Sequence, residues 1–305
     1  MLILAEMEQP ERAPEPQHIE PKPTEHGFSL RRDEVTLTEV LSRASEAWSK
    51  DLGTWVLAML LYWLLGMGIP FGLNLVWGFI SAFQDSGADA SLMVKAVNVV
   101  VQIVLYLVQL VLSAVFVLGV WAMALRGLHR QPMSVAVLFS QLSKIWKYIV
   151  QSLVLFVGIT LLILPILVII FLVFVGPVDL NTPMSEIMDD AGTPLMAAGL
   201  LLLPVYAYVV SGLAFMQTEL AFDDDAGPIE AITRSWRIAE GKRWKIIGIG
   251  LIAGFIFAGS AMMCGIGLLF GAPFATLLMG ALYLGLRNGA DVPDANTATT
   301  LGRKY

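Results

Sequence analysis

The sequence predicts an all-α membrane protein with six transmembrane helices, arranged as three repeated units of a cytoplasmic amphipathic helix followed by a helical hairpin. Three observations lead there. The 305 residues are 57% hydrophobic and 14% charged, with a mean hydropathy of +0.73, where a soluble domain is about 45–50% apolar and about 25% charged. Five stretches lack Asp, Glu, Lys and Arg over lengths that cross a bilayer, which takes about 20 apolar residues. The basic residues fall on alternate connections. This composition excludes a soluble enzyme, and the net charge of −6 argues against a nucleic-acid partner. The single cysteine, Cys264, rules out a disulfide framework or a cysteine zinc site.

Residues 1–33 set Pro10, Pro14, Pro16, Pro21 and Pro23 among six glutamates with almost nothing to bury. They are expected to form a disordered acidic tail. Met1–Ala5 is too short for the apolar core of a signal peptide. The membrane domain is expected over 34–288, with a flexible tail over 289–305.

The first unit opens on Thr36-Leu37-Thr38-Glu39, a capping-box pattern. Leu37, Val40, Leu41, Ala44 and Trp48 then share one helix face, with Glu39/Arg43 and Glu46/Lys50 at i, i+4 on the other. Uncharged runs 52–84 and 96–125 supply its two spans. Gly66, Gly68 and Pro70 predict a kink in the first, followed by a shorter helix or re-entrant piece. The second carries Asn98, Gln102, Tyr106, Gln109 and Ser113 at offsets 0, 4, 8, 11 and 15, a single polar stripe. Such a stripe is costly against lipid. It is read either as interhelical hydrogen-bonding glue or as the wall of a hydrophilic path.

In the second unit Ser134 can cap a helix whose apolar side is Leu138, Leu142, Ile145, Trp146 and Ile149, opposite Ser140, Lys144 and Lys147. Runs 148–178 and 191–218 follow, with Pro165 and Pro204 expected to bend them. In the third, Asp225 or Gly227 precedes Pro228 at a first-turn position. Ile229, Ile232, Trp236 and Ala239 form the apolar face, and Glu230 and Arg234 pair on the other. The last uncharged run, 246–286, has 41 residues and would reach about 60 Å as one helix. It is therefore read as two spans near 246–267 and 271–288, interrupted at Pro273. Gly250, Gly254 and Ala258, and again Gly267 and Gly271, have the small-residue spacing of close helix packing.

Of the 19 Lys and Arg, 18 lie in the N-terminal segment, the 126–147 and 219–245 connections and the C-terminus; the other side holds only Lys95. The positive-inside rule places both termini in the cytoplasm. Trp48, Trp146 and Trp244 recur at intervals of 98 residues, which suggests a parallel repeat. With Trp236 they read as interfacial anchors, and the basic residues beside them point to anionic headgroups.

Phe222-Asp223-Asp224-Asp225 leads into Gly227-Pro228-Ile229-Glu230-Ala231-Ile232-Thr233-Arg234-Ser235-Trp236-Arg237, then Glu240-Gly241-Lys242-Arg243-Trp244 and, after a long span, Leu282-Tyr283-Leu284-Gly285-Leu286-Arg287. This resembles the signature of bacterial integral membrane proteins of unknown function that include the membrane domain attached to some glycerophosphoryl diester phosphodiesterases. The motif is confined to 222–287, and the architecture extends the likeness over 34–288. The resemblance implies a six-span bacterial inner-membrane protein. It supplies no reaction, since no phosphodiesterase domain is present.

No span contains a histidine, and no span interior contains a charge, so no catalytic residue, metal site or cofactor is assigned. Glu219 is the nearest candidate. It is expected either at the interface or facing a cytoplasmic vestibule with Arg234 or Arg237 as partner. Asp223–Asp225 with Glu219 are read as a wet acidic turn rather than a metal cluster. The expected function is non-enzymatic: membrane organisation, lipid-interface binding or the holding of a membrane-protein partner. The alternatives are a transporter or lipid-translocating protein using the polar stripe and, behind it, a membrane-bound enzyme acting at Asp223 or Asp224.

Overall fold

The computed structural model describes residues 30, 35–84, 92–174, 199–200, 202–263 and 265–287. The acidic tail apart from Leu30, the 179–190 connection, Cys264 and the C-terminal tail lie outside them. The described residues are predominantly helical, without strands. Six helical stretches are long and apolar enough to cross a membrane: Leu52–Ala82, Ala96–Leu128, Val135–Ile166, Leu202–Phe222, Arg243–Met262 and Leu268–Arg287.

Helix α1 (Leu37–Lys50) starts where the sequence signals it, with the Thr36 hydroxyl accepting from the Glu39 N–H. It buries Val40, Ala44 and Ala47. Glu39 pairs with Arg43 at 2.9 Å, while Glu46 turns to Arg130, far along the chain, at 2.8 Å. After Asp51 comes α2 (Leu52–Leu61), which runs through a π-helical turn, Tyr62–Gly68, into α3 (Ile69–Gln84). The expected kink at Gly66, Gly68 and Pro70 is thus taken up by a wider turn within a continuous helix. Gly66 accommodates it, because a β-carbon there would sit 3.1 Å from the Phe116 ring.

Helix α4 (Leu92–Leu128) is a single rod of 37 residues. Its far half is exposed, and from Ala114 onward it is largely buried. After α4 the Ser134 hydroxyl does cap, accepting from the Ala136 N–H, but two 3₁₀ turns, Val135–Phe139 and Leu142–Lys144, follow in place of the expected surface helix. They pack on α4 at Gly119, where a β-carbon would lie 2.1 Å from the Leu138 carbonyl oxygen. Helix α5 (Ile145–Phe174) carries Pro165 inside it.

Helix α6 (202–213) ends in a turn before α7 (Met216–Phe222), and α8 (Pro228–Ala239) begins at the predicted proline after Gly227. The last uncharged run divides into α9 (Arg243–Met262) and α10 (Leu268–Arg287). The break falls at Gly265, which takes a left-handed φ of 77° open to glycine, and not at Pro273, which sits inside α10. Gly267 and Gly271 make the close approach expected of them, on Ser260 of α9, whereas Gly250 and Gly254 face open space.

Helix α10 is the most enclosed of the six, packed by α1, α2, α4 and α9, with Leu277, Leu278, Leu282 and Tyr283 fully buried. The core sits at the end of the bundle that holds the basic connections, hereafter the basic end. The far halves of the first three spans are mostly exposed apolar surface.

Candidate functional site: a buried ionic latch

The polar chemistry of the described residues concentrates at the basic end, around Glu219. Helix α7 brings Glu219 inward, and Asp223, four residues on, closes the helix by donating its N–H to the Glu219 carbonyl at 2.9 Å. Helix α8 places Arg234 opposite both. One guanidinium nitrogen, Nη1, donates to Glu219 Oε1 at 2.9 Å and Asp223 Oδ2 at 2.6 Å; Nη2 donates to Glu230 Oε1 at 2.5 Å. The predicted Glu230/Arg234 pair therefore exists, but it is the outer edge of a larger network.

The last turn of α10 completes it. Arg287 Nη2 donates to Glu219 Oε1 at 2.9 Å, and the Tyr283 hydroxyl donates to Glu219 Oε2 in a short hydrogen bond. The Arg287 guanidinium lies 4.3 Å from the centre of the Phe222 ring, and Tyr283 meets Phe215 and Phe222. Both oxygens of Glu219 are thus engaged. Its side chain is 0% exposed, and those of Arg234 and Arg287 are 4% and 3%. Glu219 is thus closed from solvent and does not face an open vestibule, and of its two expected partners it meets Arg234. Arg237 borders a cavity of about 390 Å³ with Ile238, Glu240 and Lys242.

A second arm reaches in from α5 and the turn before it. Lys144 Nζ donates to the Leu220 and Ala221 carbonyls at 2.6 and 3.1 Å and pairs with Asp224 at 2.8 Å; Lys147 donates to the Asp224 and Ala226 carbonyls at 2.6 and 2.9 Å. These carbonyls end α7 and open the turn beyond it. They are acceptors that a helix terminus leaves unsatisfied and that cations stabilise. The cluster holds four acids (Glu219, Asp223, Asp224, Glu230) and four bases (Lys144, Lys147, Arg234, Arg287), so it is balanced in charge.

Outside the spans the electrostatics follow from these contacts. Burial pushes the Asp223 carboxyl up, but the Arg234 hydrogen bond, the Asp225 N–H and the Arg234 and Arg287 charges together hold it below the usual carboxylate range. The same carboxylates raise Arg234 against the opposing effect of burial. Nearby, His129 stacks on Phe222 and donates from Nδ1 to the Leu125 carbonyl at 2.7 Å. Burial lowers its pKa despite that bond. Three donors hold the Glu219 carboxylate, two on Oε1 and one on Oε2. What the arrangement does chemically is hold: it ties α5, α7, α8 and α10 together.

The other residues singled out from sequence are dispersed. Gln102, Tyr106 and Gln109 are exposed on the outer face of α4, and Asn98 and Ser113 are half-buried. Among the described residues no hydrogen bond joins this stripe to another helix, and the Asn98 Oδ1 has no partner. Asn98, Gln102 and Tyr106 line a shallow depression of about 510 Å³. Trp146 and Trp244 are exposed, at 71% and 86%. Trp48 instead packs inward, donating to the Phe270 carbonyl at 3.2 Å and meeting Phe274 edge-on. Trp236 lies against Gly212 and, with Tyr208, brackets the Arg243 guanidinium at 4.1 and 3.7 Å.

Sequence reasoning missed Arg287, Tyr283, Lys144 and Lys147 as members of the latch. A signal for the first two existed: a tyrosine and an arginine at i, i+4 closing an otherwise apolar span. Comparison with family models, with curated proteins and with solved structures finds no match for this chain.

Proposed function

We propose that the chain is a non-enzymatic multi-pass protein of a bacterial cytoplasmic membrane, with both termini in the cytoplasm and its basic end toward anionic lipid headgroups. Its role on this reading is to organise membrane or hold a membrane-protein partner. The observation that carries it is the closure of the latch: at its centre Glu219, Arg234 and Arg287 are buried and paired with one another, and Tyr283 donates to the same carboxylate. What faces outward is apolar helix surface with Trp146 and Trp244 beside Lys and Arg. The resemblance to membrane domains attached to phosphodiesterases fits the same reading. Its signature residues Asp223, Glu230, Arg234, Tyr283 and Arg287 are latch residues, so the signature marks a structural device and not a reaction centre. The three-unit repeat is part of the proposal, supported by capped helix starts at Thr36 and Ser134 and the Pro228 start.

Native mass spectrometry of the protein extracted from membranes of mixed lipid tests this. Retention of anionic over zwitterionic lipid, reduced in a Lys242→Gln, Trp244→Ala variant, is the expected result. No headgroup preference, together with turnover of a lipid that stops on Glu219→Gln, contradicts it. A second reading, transport along α4, is favoured by the depression at Asn98, Gln102 and Tyr106. It requires Gln102→Leu with Gln109→Leu to abolish flux in vesicles while leaving the fold intact.

A further inference from the structure

Helix α4 carries polar side chains where a bilayer offers them nothing to bond. Its span, Ala96–Leu128, has 33 residues, and crossing the hydrocarbon takes about 20. Wherever that stretch is set within the span it includes residues 109–115, so Gln109 lies in the hydrocarbon at every placement. Gln102 stands two turns before it, about 10 Å toward the far end, with Tyr106 between them. All three are exposed, Tyr106 at 63%. Among the described residues none of the three has a hydrogen-bond partner on another helix. Lipid tails supply neither donors nor acceptors, so a carboxamide set against them bears the full cost of losing water.

The polar residues also draw a line and not a scatter. From Asn98 to Ser113 they follow at steps of 4, 4, 3 and 4 residues, the seam along which one helix meets one other. The rest of the outward surface of α4 suits lipid: Val100, Val104, Leu107 and Val111 are exposed at 59%, 52%, 52% and 40%. The seam holds no charge that would repel a second copy of itself.

The chemistry of the seam selects its occupant. A carboxamide has a carbonyl acceptor and two N–H donors, so two of them pair with each other, each donating once and accepting once. Copies of one membrane protein share an orientation, and the commonest assembly of identical copies is a two-fold. With its axis along the bilayer normal, two α4 helices run parallel and every residue stands level with its counterpart. Gln109 then meets Gln109 and Gln102 meets Gln102, and each pair bonds in both directions.

We propose that the α4 seam is the interface of a two-fold homodimer within the membrane, closed by the reciprocal carboxamide pairs of Gln102 and Gln109. The proposal rests on α4 crossing a membrane, and is independent of headgroup preference and of flux.

The test is association of the full chain in vesicles of phosphatidylcholine and phosphatidylglycerol, followed by energy transfer between copies labelled at the N-terminus as the chain is diluted in lipid. Transfer is expected to report two copies. Gln102→Leu with Gln109→Leu should move half-association to a protein-to-lipid ratio about tenfold higher, the worth of a few interhelical hydrogen bonds, with thermal unfolding in detergent unchanged. A second measurement does not depend on that variant. In a Cys264→Ser background, Gln109→Cys is expected to link to its counterpart under copper-phenanthroline oxidation. Val111→Cys, about 160° round the helix, should not. Transfer no greater than random encounter gives would overturn the proposal. Association untouched by the double substitution would do so as well, since the interface would lie elsewhere, and so would equal linking at both positions. A chain that stays monomeric while the double substitution abolishes flux would assign the seam to a path instead. Lipid retention, read separately, tells a failure here from a failure of the headgroup reading.

Discussion

Glu219 is held by two guanidinium groups and a phenol in a space closed to water, and that sets what its removal does. A buried pair is weak evidence of net stabilisation, since desolvation offsets the attraction, but breaking one leaves an uncompensated charge. Glu219→Ala strands two arginines and is expected to destabilise the protein by about 3–5 kcal/mol. Glu46→Ala, whose partner Arg130 is 71% exposed, should cost about 0–1 kcal/mol. Thermal unfolding of both variants in detergent measures the contrast. His129 gives a pH test. Its folded pKa lies below the ordinary value, so the unfolded chain binds the extra proton first. The stability it contributes is complete above about pH 6.5 and is lost as pH falls through that value toward the folded one. The unfolding temperature should therefore drop between pH 7 and pH 5 in the wild type and drop less in His129→Phe, which keeps the ring on Phe222. Asp223, with its pKa also lowered, acts further down: its contribution is present above about pH 4 and is lost as pH falls below that.

Element boundaries were legible where a single local device sets them. Thr36 caps α1 and Pro228 opens α8 through bonds and dihedrals internal to a few residues. The boundaries that were not legible depend on neighbours. Ser134 caps a helix start, yet the chain continues as 3₁₀ turns because it lies flat on Gly119 of α4, a contact no local pattern encodes. Gly119→Ala would drive a methyl into the Leu138 carbonyl and lift that segment. A loss of about 1–3 kcal/mol is expected, with proteolysis speeded between Val135 and Lys144 as the readout. The run from 246 to 286 shows the same limit. Its division into two helices follows from length, but Gly265 with its positive φ makes the turn while Pro273 is absorbed in α10. In the site, Glu219 and Arg234 stood out as charges beside an apolar run, and Arg237 could not be told from Arg234 without knowing how α8 is rotated. Lys144 and Lys147 read as a wet face and are in truth latch residues, because their carbonyl partners lie some 75 residues away.

At the scale of the whole molecule two materials meet. The basic end is a packed helical core locked by balanced charge; beyond it, the first three spans continue as exposed apolar rods of the length a bilayer requires. This division sets most of the described ionic side chains at one end of the bundle. On the proposed reading the latch serves the fold while the outer basic face serves lipid. Thermal unfolding in nanodiscs of zwitterionic lipid and in nanodiscs containing anionic lipid, for the wild type, Glu219→Gln and Lys242→Gln with Trp244→Ala, separates the two roles. The expected result is a wild-type midpoint that rises with anionic lipid by mass action, a Glu219→Gln midpoint lowered equally in both discs, and a surface variant that loses only the anionic increment. A Glu219→Gln protein as stable as the wild type in zwitterionic discs but blind to anionic lipid would contradict it, because the buried carboxylate would then belong to a ligand site and not to the fold.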